Sequence, residues 1–283
     1  MKTAINLGVS SMSSSLISIP DLRIIPSSYP LPHEEHDSQR SLPLMHTLKT
    51  TSVFTNPPIL TVTPQDQYII LDGANRCYSF QALQLPFILV QIVHYGQNVS
   101  LGNWNHALSD WNMSTFLASL KTLQNLDVID ARLDEGLGWI HTKDGKTYTI
   151  VAQHTVHTVA ERNQTLREVV RLYQQNSTLS RTASSKPDDV WQAFPSAFAF
   201  VTFENYHPHD IVDAAINRAF LPPGISRHVV QGRVLQLNYP MDILRHDDGH
   251  IEEKNQQLQS WIVDRFKNRS VRFYAESTYH FNE

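Results

Sequence analysis

The sequence contains one cysteine, Cys77, among 283 residues. A single cysteine cannot form a disulfide within the chain or a thiolate zinc cluster, and this indicates a reducing compartment, so we expect a cytoplasmic protein. Apolar runs are short as well. The longest, residues 85–93 and 194–203, fall below the roughly 18 residues that a membrane-spanning helix requires, and we therefore expect no membrane partner.

Charge is also scarce. Charged residues make up 18 % of the chain, and 23 basic side chains stand against 27 acidic ones, which gives a net charge of −4. This balance disfavours a surface built mainly to bind the phosphate backbone of nucleic acids. The apolar fraction of 41 % supplies a sizeable core, and the length predicts two domains.

Helix-like and strand-like patterns alternate along the chain and predict an α+β protein. The first 16 residues are Ser-rich where a signal peptide would be continuously apolar, and we expect them to form a flexible extension. Residues 114–126 and 165–175 predict helices, the second capped by Asn163. Residues 176–189, rich in Ser, Thr and Lys, predict a mobile loop. Residues 271–281 predict a last strand, whose free edge would allow a homodimer.

Residues 58–95 carry the most regular pattern. Two short β-branched runs, 58–63 and 68–71, flank a polar turn and predict a hairpin. A helix is predicted over residues 76–84 and a buried strand over residues 87–93. The predicted unit is strand, strand, turn, helix, strand.

The turn inside this unit reads Asp72-Gly73-Ala74-Asn75-Arg76. A strand that runs through a tight turn into a helix N-terminus points several backbone N–H groups at one spot, which suits a phosphate. Arg76 can add a charge-assisted contact, and Asp72 can hold a divalent metal or a ribose hydroxyl. The same spacing also fits an ordinary turn in which Asp72 caps the helix and Arg76 is solvated.

Residues 17–96 resemble the ParB/sulfiredoxin-like fold, in which a motif of the form D-G-x-H-R after a strand forms the nucleotide phosphate site. Within that fold the chain is similar to the free L-serine kinases over almost its full length. Three further segments take the places of family elements, namely Leu31-Pro32-His33-Glu34-Glu35, Asn103-Trp104-Asn105-His106, and Pro222-Pro223-Gly224-Ile225-Ser226-Arg227 with Gln231-Gly232-Arg233. Asn75 stands where the family usually has His, and Ser226 where it has Thr.

The resemblance implies a nucleotide-binding domain at residues 17–96 and a substrate-completing α+β domain at residues 97–283. It implies a kinase that uses ATP or ADP with Mg²⁺ to convert L-serine into O-phospho-L-serine, a precursor for a siderophore or a diaminopropionate-type product. Glu34 takes the role of the catalytic base, with Glu35 as the alternative. Asp72 is implied to be catalytic and to bind the metal. The phosphates are assigned to Asp72, Gly73, Ala74, Asn75 and Arg76.

The serine site follows from the same resemblance and from the chemistry of a free amino acid. Its carboxylate requires a guanidinium or a helix N-terminus, and Arg227 and Ser226 are the candidates. Trp104 and His106 are expected to form a wall of the pocket. Arg233 is a further candidate for binding the substrate.

Two other activities of this fold are less favoured. A ParB-like, nucleotide-responsive regulator that binds DNA usually carries a helix-turn-helix and a basic surface, whereas this chain continues into hairpins and has a negative net charge. DNA is kept as a partner for a secondary, regulatory role. Sulfiredoxin chemistry requires a cysteine where this sequence has Ala74. Cys77 is expected to be an unreactive core thiol.

Overall fold

The computed structural model describes residues 19–36 and 38–274. Its strands, in chain order, are β1 (Asp21–Pro26), β2 (Leu31–Pro32), β3 (Val53–Phe54), β4 (Ile59–Val62), β5 (Tyr68–Asp72), β6 (Phe87–Ile92), β7 (Val99–Asn103), β8 (Asn105–Ser109), β9 (Leu126–Ile129), β10 (Gly138–His141), β11 (Thr147–Ala152), β12 (Thr178–Thr182), β13 (Ala199–Phe203), β14 (Ser226–Val230) and β15 (Tyr239–Pro240). Its helices are α1 (Ser38–Thr50), α2 (Ala74–Ala82), α3 (Met113–Leu120), α4 (Val159–Asn176), α5 (Pro187–Ala193), α6 (Pro208–Ile216), α7 (Met241–Arg245) and α8 (Ile251–Lys267). The α+β prediction is confirmed.

The first sheet has the order β1-β6-β4-β5-β2 and mixes parallel with antiparallel pairs. Side chains alternate between the two faces of a strand, so Ile69 and Leu71 of β5 enter one core while Ile70 enters another. Because both faces are covered, the strands are almost continuously apolar. This explains why residues 58–95 gave the clearest pattern in the sequence.

The C-terminal helix α8 packs against β1 of this first sheet. The Asn255 side chain accepts from the Ile24 N–H and donates to the Ile24 carbonyl, both at 2.9 Å. Leu258 and Ile262 are buried in the same core as Ile24. The first sheet is therefore completed by a segment from the far end of the chain, and the domain boundary at residue 96 stays a prediction.

The second sheet is antiparallel throughout, with the order β12-β8-β13-β10-β11-β9. Its core includes residues of α3, α4 and α6. Strands β7 and β14 form a separate two-stranded ribbon. Across the described ranges, no helix has the length and apolar character needed to cross a membrane.

The segment 176–189 is not the loop that its composition predicts. Strand β12 pairs with β8 from Thr178 opposite Ser109 to Thr182 opposite Asn105, and α5 begins at Pro187. An edge strand keeps one side towards solvent and is rich in polar residues, so its composition resembles that of a loop. This correction places Arg181 on a strand.

Two predicted helices differ in their bounds. The helix predicted over 114–126 ends at Leu120, and the turn that follows, in which Asn125 has a φ of 64°, leads into β9. Helix α4 begins at Val159 with a capping box between Thr158 and Glu161. Asn163 is not a cap but is buried inside α4.

The predictions at the two chain ends concern residues beyond those that the structure describes. The N-terminal extension falls in that part. Of the predicted last strand, residues 271–274 are described and belong to no strand, and the remainder lies outside the described residues. A homodimer through that strand stays a prediction.

Candidate active site

Strand β5 leads through Gly73 into α2. Gly73 has a φ of 93°, and a Cβ at this position would lie 2.9 Å from the Cβ of Pro58, so only glycine fits the turn without strain. Within the described residues no side chain caps α2. The first N–H groups of a helix have no hydrogen-bond partner inside the helix, and the helix dipole is positive at this end. The N-terminus of α2 is therefore suited to bind an anion.

Two arginines bind the carboxylate of Asp72 beside this N-terminus. Arg76 approaches Asp72 Oδ2 at 3.2 Å and also donates to the Asn56 carbonyl at 2.7 Å. Arg233, from the loop after β14, forms an ion pair with the same Asp72 oxygen. Arg233 therefore lies at the predicted phosphate site, and its assignment to the serine site stays a prediction.

His33 fixes the loop that follows β2. Its side chain is buried, with Nδ1 2.6 Å from the Ile70 carbonyl and Nε2 2.8 Å from Ser226 Oγ. A carbonyl only accepts, so Nδ1 carries a proton, and in the tautomer with a bare Nε2 the Ser226 hydroxyl donates to it. The loop is thereby held against β5 and β14 at once.

The two adjacent glutamates after His33 point in different directions. Glu34 Oε2 accepts from the Gly224 N–H at 3.1 Å, and the Glu34 backbone bridges to Leu221. Glu35 is exposed and lies 3.7 Å from Arg167 of α4. Glu34 is thus directed to the loop 222–224, while Glu35 is held on the surface.

A cleft of about 360 Å³ lies between the loop after β2 and the side of α2. Its lining includes Glu34 and Glu35 on one side, and Ala74 and Tyr78 of α2 on the other. The imidazole of His36 stacks on the Tyr78 ring with their centroids 3.6 Å apart. The volume falls within the range of small-molecule sites. Glu34 and the first residue of α2 therefore face the same cleft.

Ser226 and Arg227 do not converge on one group. They are consecutive residues of β14, so their side chains leave opposite faces of the β7–β14 ribbon. Ser226 contacts His33, whereas the Arg227 guanidinium lies 4.9 Å from the centre of the Trp104 ring. A joint role for Ser226 and Arg227 on one carboxylate is excluded by this geometry.

His106 is a core residue rather than a pocket wall. It is fully buried, with Nε2 3.0 Å from the Gly224 carbonyl and Nδ1 2.5 Å from the Tyr173 hydroxyl. Burial lowers the pKa of His106 to about 4, with the nearby Arg181 charge acting in the same direction and the Gly224 carbonyl against it. The neutral ring donates from Nε2 and accepts at Nδ1, which fixes the position of Gly224.

Three residues near this site, Gly224, Arg181 and His228, were not candidate site residues in the sequence. Gly224, with a φ of 80°, connects Glu34 with His106, and the Arg181 side chain lies against it. His228 packs edge-on against His33 and is 2.7 Å from the Tyr95 hydroxyl. Burial lowers the pKa of His228 to about 3, so this ring is neutral. The turn sequence Pro222-Pro223-Gly224 was the only local signal.

Cys77 is buried in the first turn of α2. Burial raises the pKa of its thiol to about 12, which agrees with the expected unreactive thiol. Among the described side chains, no group of three or more His, Cys, Asp or Glu residues is arranged to hold a metal ion by itself.

Comparison with known proteins places these features in context. No family model matches the chain. The chain is 22 % identical over 272 residues to the ATP-dependent L-serine kinase SbnI of Staphylococcus aureus, covering 91 % of this chain and 96 % of that protein. The structure of SbnI with a C-terminal truncation matches with a TM-score of 0.72 and 19 % identity, over 87 % of this chain and 97 % of that one.

A second structural match is a free serine kinase in complex with AMP. Its TM-score is 0.66 at 16 % identity, and the match covers 80 % of this chain and 94 % of that one. A conserved hypothetical protein from Pyrococcus furiosus matches with a TM-score of 0.62 at 17 % identity, over 79 % and 97 % of the two chains. The chain is thus related to SbnI along nearly its whole length and has the fold of the free serine kinase structures, as the motifs predicted.

Proposed function

We propose that the protein is a free L-serine kinase that transfers the γ-phosphoryl group of ATP to the hydroxyl of L-serine and forms O-phospho-L-serine. The observation that carries this proposal is that Glu34 and Ala74, the first residue of the uncapped helix α2, line one cleft. A kinase requires an anion site for the donor phosphates and a residue that orients or deprotonates the acceptor hydroxyl. The similarity to SbnI and to the nucleotide-bound free serine kinase supports the same function.

The nucleotide phosphates are assigned to the start of α2. Backbone N–H groups of Gly73, Ala74 and Asn75 supply donors, and Arg76 and Arg233 supply positive charge. We include in the proposal that this nucleotide-binding unit has the ParB/sulfiredoxin-like fold. Solved complexes of the free serine kinase with AMP and with ADP support a nucleotide at this fold.

The residues of this site fit Mg²⁺ as part of the proposal. Mg²⁺ is usually held by one or two carboxylates together with substrate phosphates, and Asp72 offers one carboxylate next to the phosphate site. When bound, the ion neutralises charge on the transferred group. Arg76 and Arg233 occupy Asp72 here, so this carboxylate becomes available to an ion when the two guanidinium groups turn to the phosphates.

Glu34 acts as the general base. As the serine Oγ attacks the γ-phosphorus, Glu34 takes the hydroxyl proton, the bond from phosphorus to the bridging oxygen breaks, and ADP leaves. The Gly224 N–H holds the Glu34 carboxylate in place. Asn75 replaces the histidine of the family motif, so the contact made there is proposed to come from an amide.

The experiment is a phosphotransfer assay with purified protein, L-serine, Mg²⁺ and either ATP or ADP, with O-phosphoserine followed by ³¹P NMR. We expect product from the wild type and a loss of kcat of at least about 100-fold for Glu34→Gln, in line with the loss of a general base. Glu35→Gln is the matched control and should retain activity, because Glu35 pairs with Arg167. Absence of product from folded wild type with both donors would overturn the proposal.

A cytoplasmic location and use of the product in siderophore or diaminopropionate-type biosynthesis belong to this proposal as well. DNA binding as a second activity stays a prediction.

A further inference from the structure

A free amino acid presents a carboxylate that a kinase of this kind has to recognise. We propose that Arg181 of β12 binds this carboxylate. The inference rests on the proposed function and adds to it the residue that selects the carboxylate end of the substrate.

The guanidinium of Arg181 lies face-on against Gly224. A Cβ built on Gly224 would fall 2.1 Å from both Cζ and Nη2 of Arg181 and 2.3 Å from its Nε. All three distances are similar, so the flat side of the guanidinium covers the glycine Cα. The absence of a side chain at position 224 is what allows this approach.

The same glycine holds the proposed base. Its N–H donates to Glu34 Oε2 at 3.1 Å, and its carbonyl accepts from His106 Nε2 at 3.0 Å. Glu34 and Arg181 therefore contact one residue whose own position is fixed from the core. In serine the hydroxyl and the carboxylate are attached to adjacent carbon atoms, so a base and a cation close to one another match both groups.

Arg181 is also available to a ligand. It is exposed, and within the described part of the chain its guanidinium forms no hydrogen bond or ion pair. Its partner across the strand pair is His106, so the two side chains share one face of the second sheet. The positive charge of Arg181 also acts on Tyr173, which belongs to the same buried group.

Four other arginines of this region already have partners. Arg76 and Arg233 bind Asp72, and Arg167 pairs with Glu35. Arg227 lies over Trp104, on the face of its ribbon opposite to Ser226. Of these five arginines, Arg181 is the one that lies against Gly224, the residue bound to Glu34, and that forms no hydrogen bond or ion pair in the described part of the chain.

The test compares L-serine with L-serinamide, which keeps the hydroxyl and the ammonium but lacks the negative charge. Wild type, Arg181→Ala, Arg181→Lys and the surface control Arg171→Ala are assayed on both substrates. We expect Arg181→Ala to raise KM for L-serine by about 10-fold or more, the usual effect of losing a charge-assisted hydrogen bond, with a smaller change in kcat. On L-serinamide, Arg181→Ala should equal the wild type.

Arg181→Lys keeps the positive charge and should recover part of the affinity for L-serine. This variant also keeps the test possible if Arg181→Ala does not fold. An equal loss on both substrates, or no loss on L-serine, would overturn the inference while the proposed function stands. A folded wild type that transfers no phosphate to L-serine would overturn the proposed function, and the inference would fall with it. Arg171→Ala, on the exposed side of α4, should match the wild type throughout.

Discussion

The carboxylate of Asp72 and the guanidinium of Arg233 form an ion pair although they are 161 positions apart in the chain. Arg76 approaches the same carboxylate oxygen at 3.2 Å. One negative and two positive side chains therefore stand at the N-terminus of α2. The remaining positive charge adds to that of the helix end and favours an anion.

We predict that Arg233→Met raises KM for ATP by about 10-fold, since it removes one charge-assisted donor from the phosphate site. KM for L-serine should stay unchanged. The melting temperature should change little, because a partly exposed ion pair contributes at most about 1 kcal/mol. Steady-state kinetics with each substrate varied in turn, and Arg269→Met as an exposed control, provide the check. A rise in KM for L-serine alone would instead return Arg233 to the serine site.

A comparison of Gly73 with Gly96 separates two costs of replacing a glycine that has a positive φ, namely backbone strain and steric contact of the added Cβ. Both have a positive φ, 93° and 75°, but a Cβ on Gly73 would meet Pro58 at 2.9 Å while one on Gly96 would meet nothing within 4 Å. We predict that Gly96→Ala costs about 1 kcal/mol of unfolding free energy from backbone strain alone. Gly73→Ala should cost clearly more and should also weaken ATP binding. Urea unfolding and nucleotide titration measure the two effects, and equal costs would contradict the steric argument.

The strand-turn-helix unit around Asp72 could be predicted from the sequence because its signals are local. The apolar runs of β4, β5 and β6 reflect a sheet covered on both faces, and Asp72-Gly73 marks the turn. The assignment of Glu34 as the catalytic base came from the resemblance to the family. Our preference for Glu34 over Glu35 rests on their contacts with Gly224 and Arg167, which lie far away in the chain.

Other parts of the site depend on tertiary pairing and could not be predicted in this way. Arg181 was assigned to a loop because an exposed edge strand has a polar composition, and its pairing with β8 is visible only in the fold. Ser226 and Arg227 were grouped because they are neighbours in sequence, whereas a strand directs them to opposite faces. His106 was taken for a pocket residue, and its burial follows from packing with Tyr173.

Stability should fall as the pH drops from 7 to 5. Burial lowers the pKa of His106 to about 4 in the folded state, whereas in the unfolded chain it titrates near 6.5. Between these values the unfolded state binds more protons, so each such histidine destabilises the fold as the pH falls. At pH 5, about 1.5 pH units below the pKa of the unfolded chain, one such histidine lowers the free energy of unfolding by about 2 kcal/mol, since one pH unit corresponds to about 1.4 kcal/mol.

Urea unfolding at pH 7 and pH 5 tests this prediction. His106→Asn should be less stable than the wild type at pH 7 and should lose less stability between the two values. His154→Asn, an exposed residue, should keep the wild-type dependence. The same slope in His106→Asn and in the wild type would show that folding does not lower the pKa of His106.

The hydroxyl of Ser226 is the group that satisfies His33 Nε2 inside the protein. Ser226→Ala leaves that ring nitrogen without its partner in a buried position, and we predict a loss of about 1–3 kcal/mol in unfolding free energy. KM for L-serine should rise as well, because His33 holds the loop that carries Glu34. Ser226→Thr retains the hydroxyl and is the residue of the related motif, so it should keep both stability and KM near the wild type. Denaturant unfolding and serine kinetics on the two variants distinguish the hydroxyl from side-chain volume, and a Thr variant as impaired as the Ala variant would contradict the role of the hydrogen bond.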